Sequence, residues 1–380
     1  MIAYERYSSQ IRQPRTVTPQ FSPSPVNKVL LLPQLSKITQ TPSFPLISGK
    51  RNLSMQPTKT KIETNPISNR PSECFKLSGL EDFIITRILG KGSYAIVRLA
   101  INKTSSEQFA IKSYDKTKIS STQSKKNLKT EIKILKFLDH PKIIKLYEIR
   151  ETPLGAHLIL EYFNGCSLED YVKHRRKLEE YDVADIFKQI LSAISYCHML
   201  KIAHRDIKLG NILIDSHKQV KMIDFGFATH TLRRKKFSVN CGTPYYMAPE
   251  IVLKKTYDPL AADIWAMGVC LYVMLTGEEP FRGKNQKEVY RKIVMGVFTI
   301  PKNLSKGSKG LIKNLMQVDP GCRISASQAL HDSWLNSYSK RQSDTKIGFD
   351  TNFLLSDTEE EVHNKQFGEY IRDNVFKENL

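Results

Sequence analysis

His204-Arg205-Asp206-Ile207-Lys208-Leu209-Gly210-Asn211, followed downstream by Asp224-Phe225-Gly226, decides how this chain is read. Asp206 can accept a hydroxyl proton, Lys208 can neutralise charge on a phosphoryl group, and Asn211 can hold a divalent cation. Asp224 supplies a second oxygen ligand directly after the strand-like run Val220–Ile223. Phosphoryl transfer needs this set: cations to spread charge over the oxygens, and a carboxylate to orient the attacking hydroxyl.

Working outward towards the N-terminus, Leu89-Gly90-Lys91-Gly92-Ser93-Tyr94-Ala95-Ile96-Val97 joins two strand-like runs. Glycine has no Cβ, so backbone N–H groups there can come close to phosphate oxygens. Ala95 replaces the third glycine of a G-x-G-x-x-G pattern, and no helix follows, so a dinucleotide-binding fold is excluded. Taken alone, an ordinary β-turn explains the stretch as well. Phe109-Ala110-Ile111-Lys112 puts a lysine on an apolar strand, aimed into a cleft or, as for most single lysines, snorkelling to the surface. Glu131 lies on a helical stretch with Leu128, Ile132, Leu135 and Leu138 on one face, and by itself it reads as an exposed helix glutamate.

The periodicity around these motifs divides the chain. Phe83–Leu89, Ile96–Ile101 and Phe109–Tyr114 read as antiparallel strands, and Ile143–Ile149 and His157–Tyr162 as two more. After Gly165 the pattern is mostly helical: Val183, Phe187, Ile190 and Ile194 keep helical spacing. Asp263–Leu275 is apolar nearly all round and predicts a buried helix. A small β-rich lobe with one helix followed by a larger α-rich lobe is an α+β arrangement, with its cleft near Glu161–Gly165.

Residues 1–76 hold eleven Lys and Arg against three acids, a surplus of roughly eight positive charges in a Pro- and Ser/Thr-rich segment without period, and read as disordered. Thr18-Pro19, Ser22-Pro23, Ser24-Pro25 and Thr41-Pro42 are candidate sites for proline-directed kinases. Residues 341–380 turn acidic around Asp357, Glu359, Glu360 and Glu361 and contain no D-x-D-x-D-G calcium loop. The net charge of +20 asks for an explanation; no aromatic-interleaved basic stripe or nucleic-acid module accompanies it. Contact of the basic N-terminal segment with nucleic acid or anionic membrane is one reading, and a solvated basic surface the blander one. The six cysteines are scattered without a CxxC pair, which argues against zinc and disulfides and fits a reducing, intracellular compartment, cytoplasmic or nuclear. The start has no apolar signal core, Ile2 stands where N-myristoylation requires glycine, and the apolar run Ile264–Leu275 is too short to span a bilayer.

Taken together, HRDxKxxN, DFG and Ala248-Pro249-Glu250 resemble the eukaryotic protein kinase family over about two-thirds of the chain, Phe83 to Leu335, in family order and spacing. The resemblance implies ATP and Mg²⁺. Lys112 would hold the α- and β-phosphates and pair with Glu131; Asp206 would be the catalytic base, with Lys208 beside the γ-phosphate. Asn211 and Asp224 would ligate two Mg²⁺ ions under the loop Leu89–Val97. Val97, Ala110 and Leu213 would sandwich the adenine, and the backbone of Glu161–Phe163 would bond its edge, with Leu160 gating the space behind. His204 would be a packed core histidine stacked with Phe225, Leu135 and Leu146. Asp263 would anchor the catalytic loop, and Glu250 would pair with Arg323.

Lys208 two residues after Asp206, and Cys241-Gly242-Thr243-Pro244-Tyr245-Tyr246-Met247-Ala248-Pro249-Glu250, are similar to the serine/threonine type, in which Thr243 would bond Asp206 and Lys208. Asp139–Tyr147 and Gly277-Glu278-Glu279-Pro280-Phe281 resemble the group containing calmodulin-dependent and AMP-activated kinases. Two departures stand out. The activation-loop phosphothreonine position is Val239, so the expectation is activity without loop phosphorylation, or use of neighbouring Ser238; the basic run Arg233–Lys236 would then hold the loop through another acidic partner. The acids that bind substrate arginines in basophilic relatives are replaced by Ser167, Gly210 and Val273, although Glu169, Asp170, Glu278 and Glu279 lie nearby in sequence. The competing reading, a pseudokinase that binds nucleotide or partners only, would predict loss of Lys112, Asp206 or Asp224, and all three are present. Protein substrates are the partners implied; the sequence does not give the oligomeric state.

Overall fold

The computed structural model describes residues 79–339, apart from 93, 120 and 232–241. The basic segment 1–76, the acidic segment 341–380, Ser93, the run Arg233–Lys236, Ser238, Val239 and Cys241 lie outside the described residues.

The first lobe is a five-stranded antiparallel sheet in the order β1-β2-β3-β5-β4. Its strands are β1 Phe83–Lys91, β2 Ala95–Asn102, β3 Gln108–Asp115, β4 Leu146–Glu151 and β5 Gly155–Glu161. Strand β1 runs further than predicted because Gly90 pairs with Val97 and Lys91 with Ile96, so the first loop glycine belongs to the ladder. The Gly92 N–H then donates to the Ala95 carbonyl at 2.8 Å and closes the turn. Strand β4 starts later than predicted, since Ile143 makes only an isolated parallel bridge to Met222. Strand β5 is buried along nearly its whole length, and its alternation shows why. Ala156, Leu158 and Leu160 join the main core with Leu135, whereas Ile159 faces a separate outer cluster with Leu80, Phe83, Ala100 and Ile111.

Between β3 and β4 lies helix α1, Thr122–Phe137. Ser121 caps it, its side chain accepting the Ser124 N–H at 3.0 Å, and the Leu138 N–H closes the far end on the Ile134 carbonyl. Within the helix Glu131, Ile134 and Leu135 are buried; of the stripe read from periodicity, Leu135 and Leu138 are buried in the main core and Leu128 and Ile132 pack half-buried against it. A carboxylate, and not only aliphatic carbons, therefore enters the interior from this helix.

The second lobe comprises α2 Leu168–Arg175, α3 Glu180–Met199, α4 Pro249–Val252, α5 Pro259–Thr276, α6 Gln286–Met295, α7 Lys306–Leu315, α8 Ala326–Leu330 and α9 Ser333–Ser339. Short strands β6 Cys166–Ser167, β8 Ile212–Ile214 and β9 Val220–Met222 form one small sheet, and β7 Ile202–Ala203 pairs with β10 Thr229–His230. Helix α5 is the predicted all-apolar helix, extended at both ends. At 18 residues it is long and apolar enough to cross a bilayer, which the shorter run Ile264–Leu275 was not, but 78% of it is buried within the lobe. It is the central core helix, with Trp265 stacked on Phe281 at 5.8 Å. Asp258 caps its start, and Gly277 ends it with φ +74°. A Cβ on Gly277 would lie 1.6 Å from the Arg176 carbonyl oxygen, so both the left-handed turn and the close approach require glycine.

Two histidines, His140 buried and His230 half-buried, are expected to give the domain a pH dependence. His140, between α1 and β4, stacks on Tyr196 at 5.1 Å, meets Ser192 Oγ at 3.1 Å and accepts the Lys142 N–H at 3.1 Å. Burial, with Lys142 and Lys221 adding to it and Asp139 opposing, lowers its pKa from 6.5 to about 4. His230 on β10 is likewise lowered to about 4 by burial. A histidine depressed on folding takes up its proton more readily in the unfolded chain, so stability falls as pH drops from 6.5 towards 4 and is unaffected by these groups above 6.5. We expect the Tm to fall between pH 7 and 5, with up to two protons bound on unfolding through this pair. Replacing both with glutamine should flatten the slope; an unchanged slope would show that the two histidines do not carry it.

Candidate active site

Asp263 on α5 holds the segment that begins at His204 by its backbone. Its carboxylate accepts the N–H groups of His204 at 2.8 Å and Arg205 at 2.9 Å. His204 is fully buried with its ring 4.8 Å from Phe225, so it is a core histidine as expected, and its Nδ1 accepts the Asp206 N–H at 3.3 Å. Arg205 takes a left-handed φ of 65°, and its Nε donates to the Phe227 carbonyl at 2.6 Å. A left-handed non-glycine residue one position from the key carboxylate is the kind of strain that a site retains only when its surroundings enforce it.

Around Asp206 three predicted residues meet. Lys208 Nζ donates to Asp206 Oδ2 at 2.7 Å, and Asn211 Nδ2 donates to the same oxygen at 2.9 Å. Thr243 Oγ1 donates to Asp206 Oδ1 at 3.2 Å and accepts from Lys208 at 3.1 Å. The carboxylate is fixed in position by three side chains. Behind Thr243, α4 carries Glu250, whose carboxylate pairs with Arg323.

The second group lies where the lobes meet. Lys112 Nζ on β3 donates to Glu131 Oε1 at 2.7 Å and to Asp224 Oδ1 at 2.8 Å. Glu131 is 2% exposed, which overturns its reading as a surface helix glutamate: the Lys112 cation compensates its burial. Lys112 is likewise no snorkelling surface lysine. Burial by itself would lower the Lys112 pKa, but the carboxylates of Glu131 and Asp224 hold it well above its ordinary value. Asp224, with φ 64°, is pushed up by burial and pulled down more strongly by Lys112, so it stays ionised below the usual carboxylate range. A Cβ on Gly226 would stand 3.2 Å from Asp224 Oδ1 and 3.5 Å from Glu131 Oε2, so the DFG glycine leaves room for this cluster.

Of the remaining predicted residues, Ala95, Ile96, Val97, Ala110 and Leu213 are half-buried, and Leu89, Lys91 and Tyr94 are exposed. Val97 lies directly opposite Lys112, and Ala110 opposite Leu160. The Glu161 N–H donates to the Lys145 carbonyl at 2.9 Å, and the Phe163 carbonyl accepts from Gly165 at 3.0 Å. The Glu161 side chain has a role that sequence reading missed: it pairs with Lys221 of β9 at 2.8 Å and accepts the Lys145 N–H at 3.2 Å. No local signal joins these positions, because they meet only through the fold.

The donor set fits Mg²⁺ and a nucleotide triphosphate. Asp224 and Asn211 offer hard oxygen ligands, the type this ion takes. Among the described residues there is no group of three or more His, Cys, Asp or Glu that could hold a metal ion. At the loop, a Cβ on Gly90 would meet nothing within 4 Å and one on Gly92 only the Ala95 carbonyl at 3.6 Å, so the backbone is open to an approaching phosphate.

The sequence model of the protein kinase domain matches residues 83–335. This chain belongs to the protein kinase family. It is 38% identical over 262 residues to an SNF1-related protein kinase catalytic subunit alpha, KIN12, of Arabidopsis thaliana, covering 69% of this chain and 53% of that protein. It is 37% identical to the carbon catabolite-derepressing protein kinase of Candida glabrata, over 70% of this chain and 44% of the relative. Identity is also 37% to the probable serine/threonine-protein kinase MARK-A of Dictyostelium discoideum, over 67% of this chain and 24% of the relative. The chain thus matches about half or less of the length of each. These relatives agree with the serine/threonine type and with the group, containing calmodulin-dependent and AMP-activated kinases, that the Asp139–Tyr147 and Gly277–Phe281 segments resemble.

Proposed function

We propose that this chain is a protein serine/threonine kinase that transfers the γ-phosphoryl group of ATP to Ser or Thr hydroxyls of protein substrates. The observation that carries the proposal is the pairing of two clusters: Asp206 bonded to Lys208, Asn211 and Thr243, and Lys112 bonded to both Glu131 and Asp224. A chain that only bound nucleotide would have no need of the first cluster.

In this reading Asp206 orients the hydroxyl and takes its proton as the oxygen–phosphorus bond forms and the bond from the γ-phosphorus to its bridging oxygen breaks, leaving ADP. Lys208 offsets negative charge on the transferred group, and Lys112, held by Glu131, positions the α- and β-phosphates. Mg²⁺ held by Asn211 and Asp224 would neutralise phosphate charge when bound. The loop from Leu89 to Val97 covers the phosphates; Val97, Ala110, Leu213 and the backbone of Glu161–Phe163 receive the adenine. Thr243 bridges Asp206 and Lys208 and so shapes a shallow acceptor site suited to an aliphatic hydroxyl.

Substrate choice is proposed to lack a strict Arg-rich consensus, because Ser167, Gly210 and Val273 bear no acid. Glu169 Oε2 lies 2.9 Å from where a Cβ on Gly210 would stand, yet Glu169 is already paired with Lys173 at 2.7 Å. We place the kinase domain at 83–335, the basic segment 1–76 and the acidic segment 341–380 flanking it, in an intracellular setting supported by free Cys166, Cys197, Cys270 and Cys322. Labelled-ATP transfer to a degenerate peptide library, with phospho-amino-acid analysis, tests the reading. Phosphoserine and phosphothreonine without one dominant arginine position are expected; phosphotyrosine would overturn the hydroxyl assignment, and a dominant arginine the substrate assignment.

A further inference from the structure

Tyr114 sits two residues after Lys112 on β3, so both side chains leave the same face of the sheet. Its hydroxyl donates to Glu131 Oε2 at 2.5 Å, while Lys112 holds the other oxygen, Oε1, at 2.7 Å. The carboxylate is therefore held at both oxygens from one strand. Lys112 Nζ also lies 5.3 Å from the Tyr114 ring centroid, a distance at which the ring face attracts the cation. The residues directly opposite Tyr114 in the neighbouring strands are Ala95 and Ala156, and their small side chains leave room for the ring on that face. Tyr114 is 9% exposed, and burial, partly offset by Lys112 and reinforced by Glu131, keeps its hydroxyl protonated.

Helix α1 needs such a tie. It carries Lys125, Lys126, Lys129, Lys133 and Lys136 and has no acid in its first turn, so the cations near its start oppose its positive end, and Lys136 alone stands in the last turn, where a cation is favourable. Its one buried charge is Glu131. The family's activation-loop phosphothreonine would align with Val239, which cannot be phosphorylated, leaving neighbouring Ser238 as the alternative there.

We propose that Tyr114 is a positioning residue that clamps Glu131, and through it Lys112, in the orientation required for nucleotide, so that α1 is held inward from the sheet itself. The proposal rests on the kinase reading only for the role of Lys112; the clamp is a separate claim. Tyr114→Phe keeps the ring and removes the hydroxyl alone. In wild-type background we expect a loss of roughly tenfold or more in kcat/KM for ATP, the scale of one hydrogen bond to a charged group. In the Glu131→Leu background, which removes the acceptor, the same change should cost less than about twofold, since both act through one contact. The same four proteins are compared for Mg-ATP affinity by competition with a fluorescent nucleotide, which reads variants that no longer turn over. Full activity and affinity in Tyr114→Phe, or an equal loss in both backgrounds, would overturn the clamp. A wild type that binds Mg-ATP without transferring phosphate would overturn the catalytic reading, and the affinity cycle would still decide the clamp.

Discussion

Asp206→Asn is expected to lower phosphoryl transfer by about 10²–10⁴-fold, the range attributed to a positioned acid or base, while Mg-ATP affinity stays within a few-fold of wild type. Asparagine keeps the size and much of the hydrogen-bonding capacity of the aspartate that Lys208, Asn211 and Thr243 now hold. What it loses is the capacity to take a proton. The hydrogen bonds of Asp206 involve neither Lys112 nor Glu131, so the cluster assigned to the α- and β-phosphates is left intact. Steady-state turnover beside a direct binding measurement checks both halves. A variant that retains a tenth or more of wild-type turnover would remove Asp206 from the role of base.

Arg323→Ala is expected to cost about 3–5 kcal/mol of stability, the scale for breaking a buried pair and leaving one charge behind. Arg323 NH1 and NH2 donate to Glu250 Oε1 and Oε2 at 2.6 and 2.7 Å, with both side chains almost wholly buried. The same guanidinium donates to the carbonyls of Gln317 at 2.7 Å, Ala261 at 2.9 Å and Val318 at 3.2 Å, and lies 5.2 Å from the Trp265 ring centroid. It therefore ties α4, the segment after α7 and core helix α5 around one planar group. Alanine would strand the Glu250 carboxylate just behind the Thr243 segment, so the acceptor side of the site should loosen as well. Urea unfolding measures the cost. The double variant Arg323→Met, Glu250→Leu should recover much of it, because no lone charge remains. A single-variant loss below about 1 kcal/mol would show that the pair is not a principal tie of this lobe.

What the sequence made legible was whatever depends on order along the chain. The HRDxKxxN and DFG stretches carry their chemistry in their spacing, so Asp206, Lys208, Asn211 and Asp224 could be assigned before any contact was known. The all-apolar run from Asp263 to Leu275 announced the core helix, because few helices bury their whole circumference. The strand runs located the sheet, with errors at the edges where pairing and not composition sets the end, as at Lys91 and Leu146. Less visible were contacts made by residues far apart. The spacing of Leu128, Ile132, Leu135 and Leu138 gave α1 its core face, whereas the inward place of Glu131 came only from the resemblance that pairs it with Lys112. Glu180, an ordinary helix-start glutamate in sequence, accepts from the Ser305 N–H at 2.7 Å and Trp334 Nε1 at 2.9 Å and so holds α7 and α9 to α3. Tyr114 was within reach of sequence reasoning, because strand alternation places it on the Lys112 side; its hydrogen bond to Glu131 was not, because the two meet only through the fold.

The most direct test of the account is phosphate transfer by the unmodified, phosphatase-treated full chain, measured with labelled ATP and Mg²⁺ beside nucleotide binding on the same sample. The account predicts both: saturable Mg-ATP binding, and label on serine and threonine peptides in the wild type that falls to background with Asp206→Asn. Binding without transfer, in a chain whose Lys112, Asp206 and Asp224 are all in place, would contradict it and leave a nucleotide-binding scaffold.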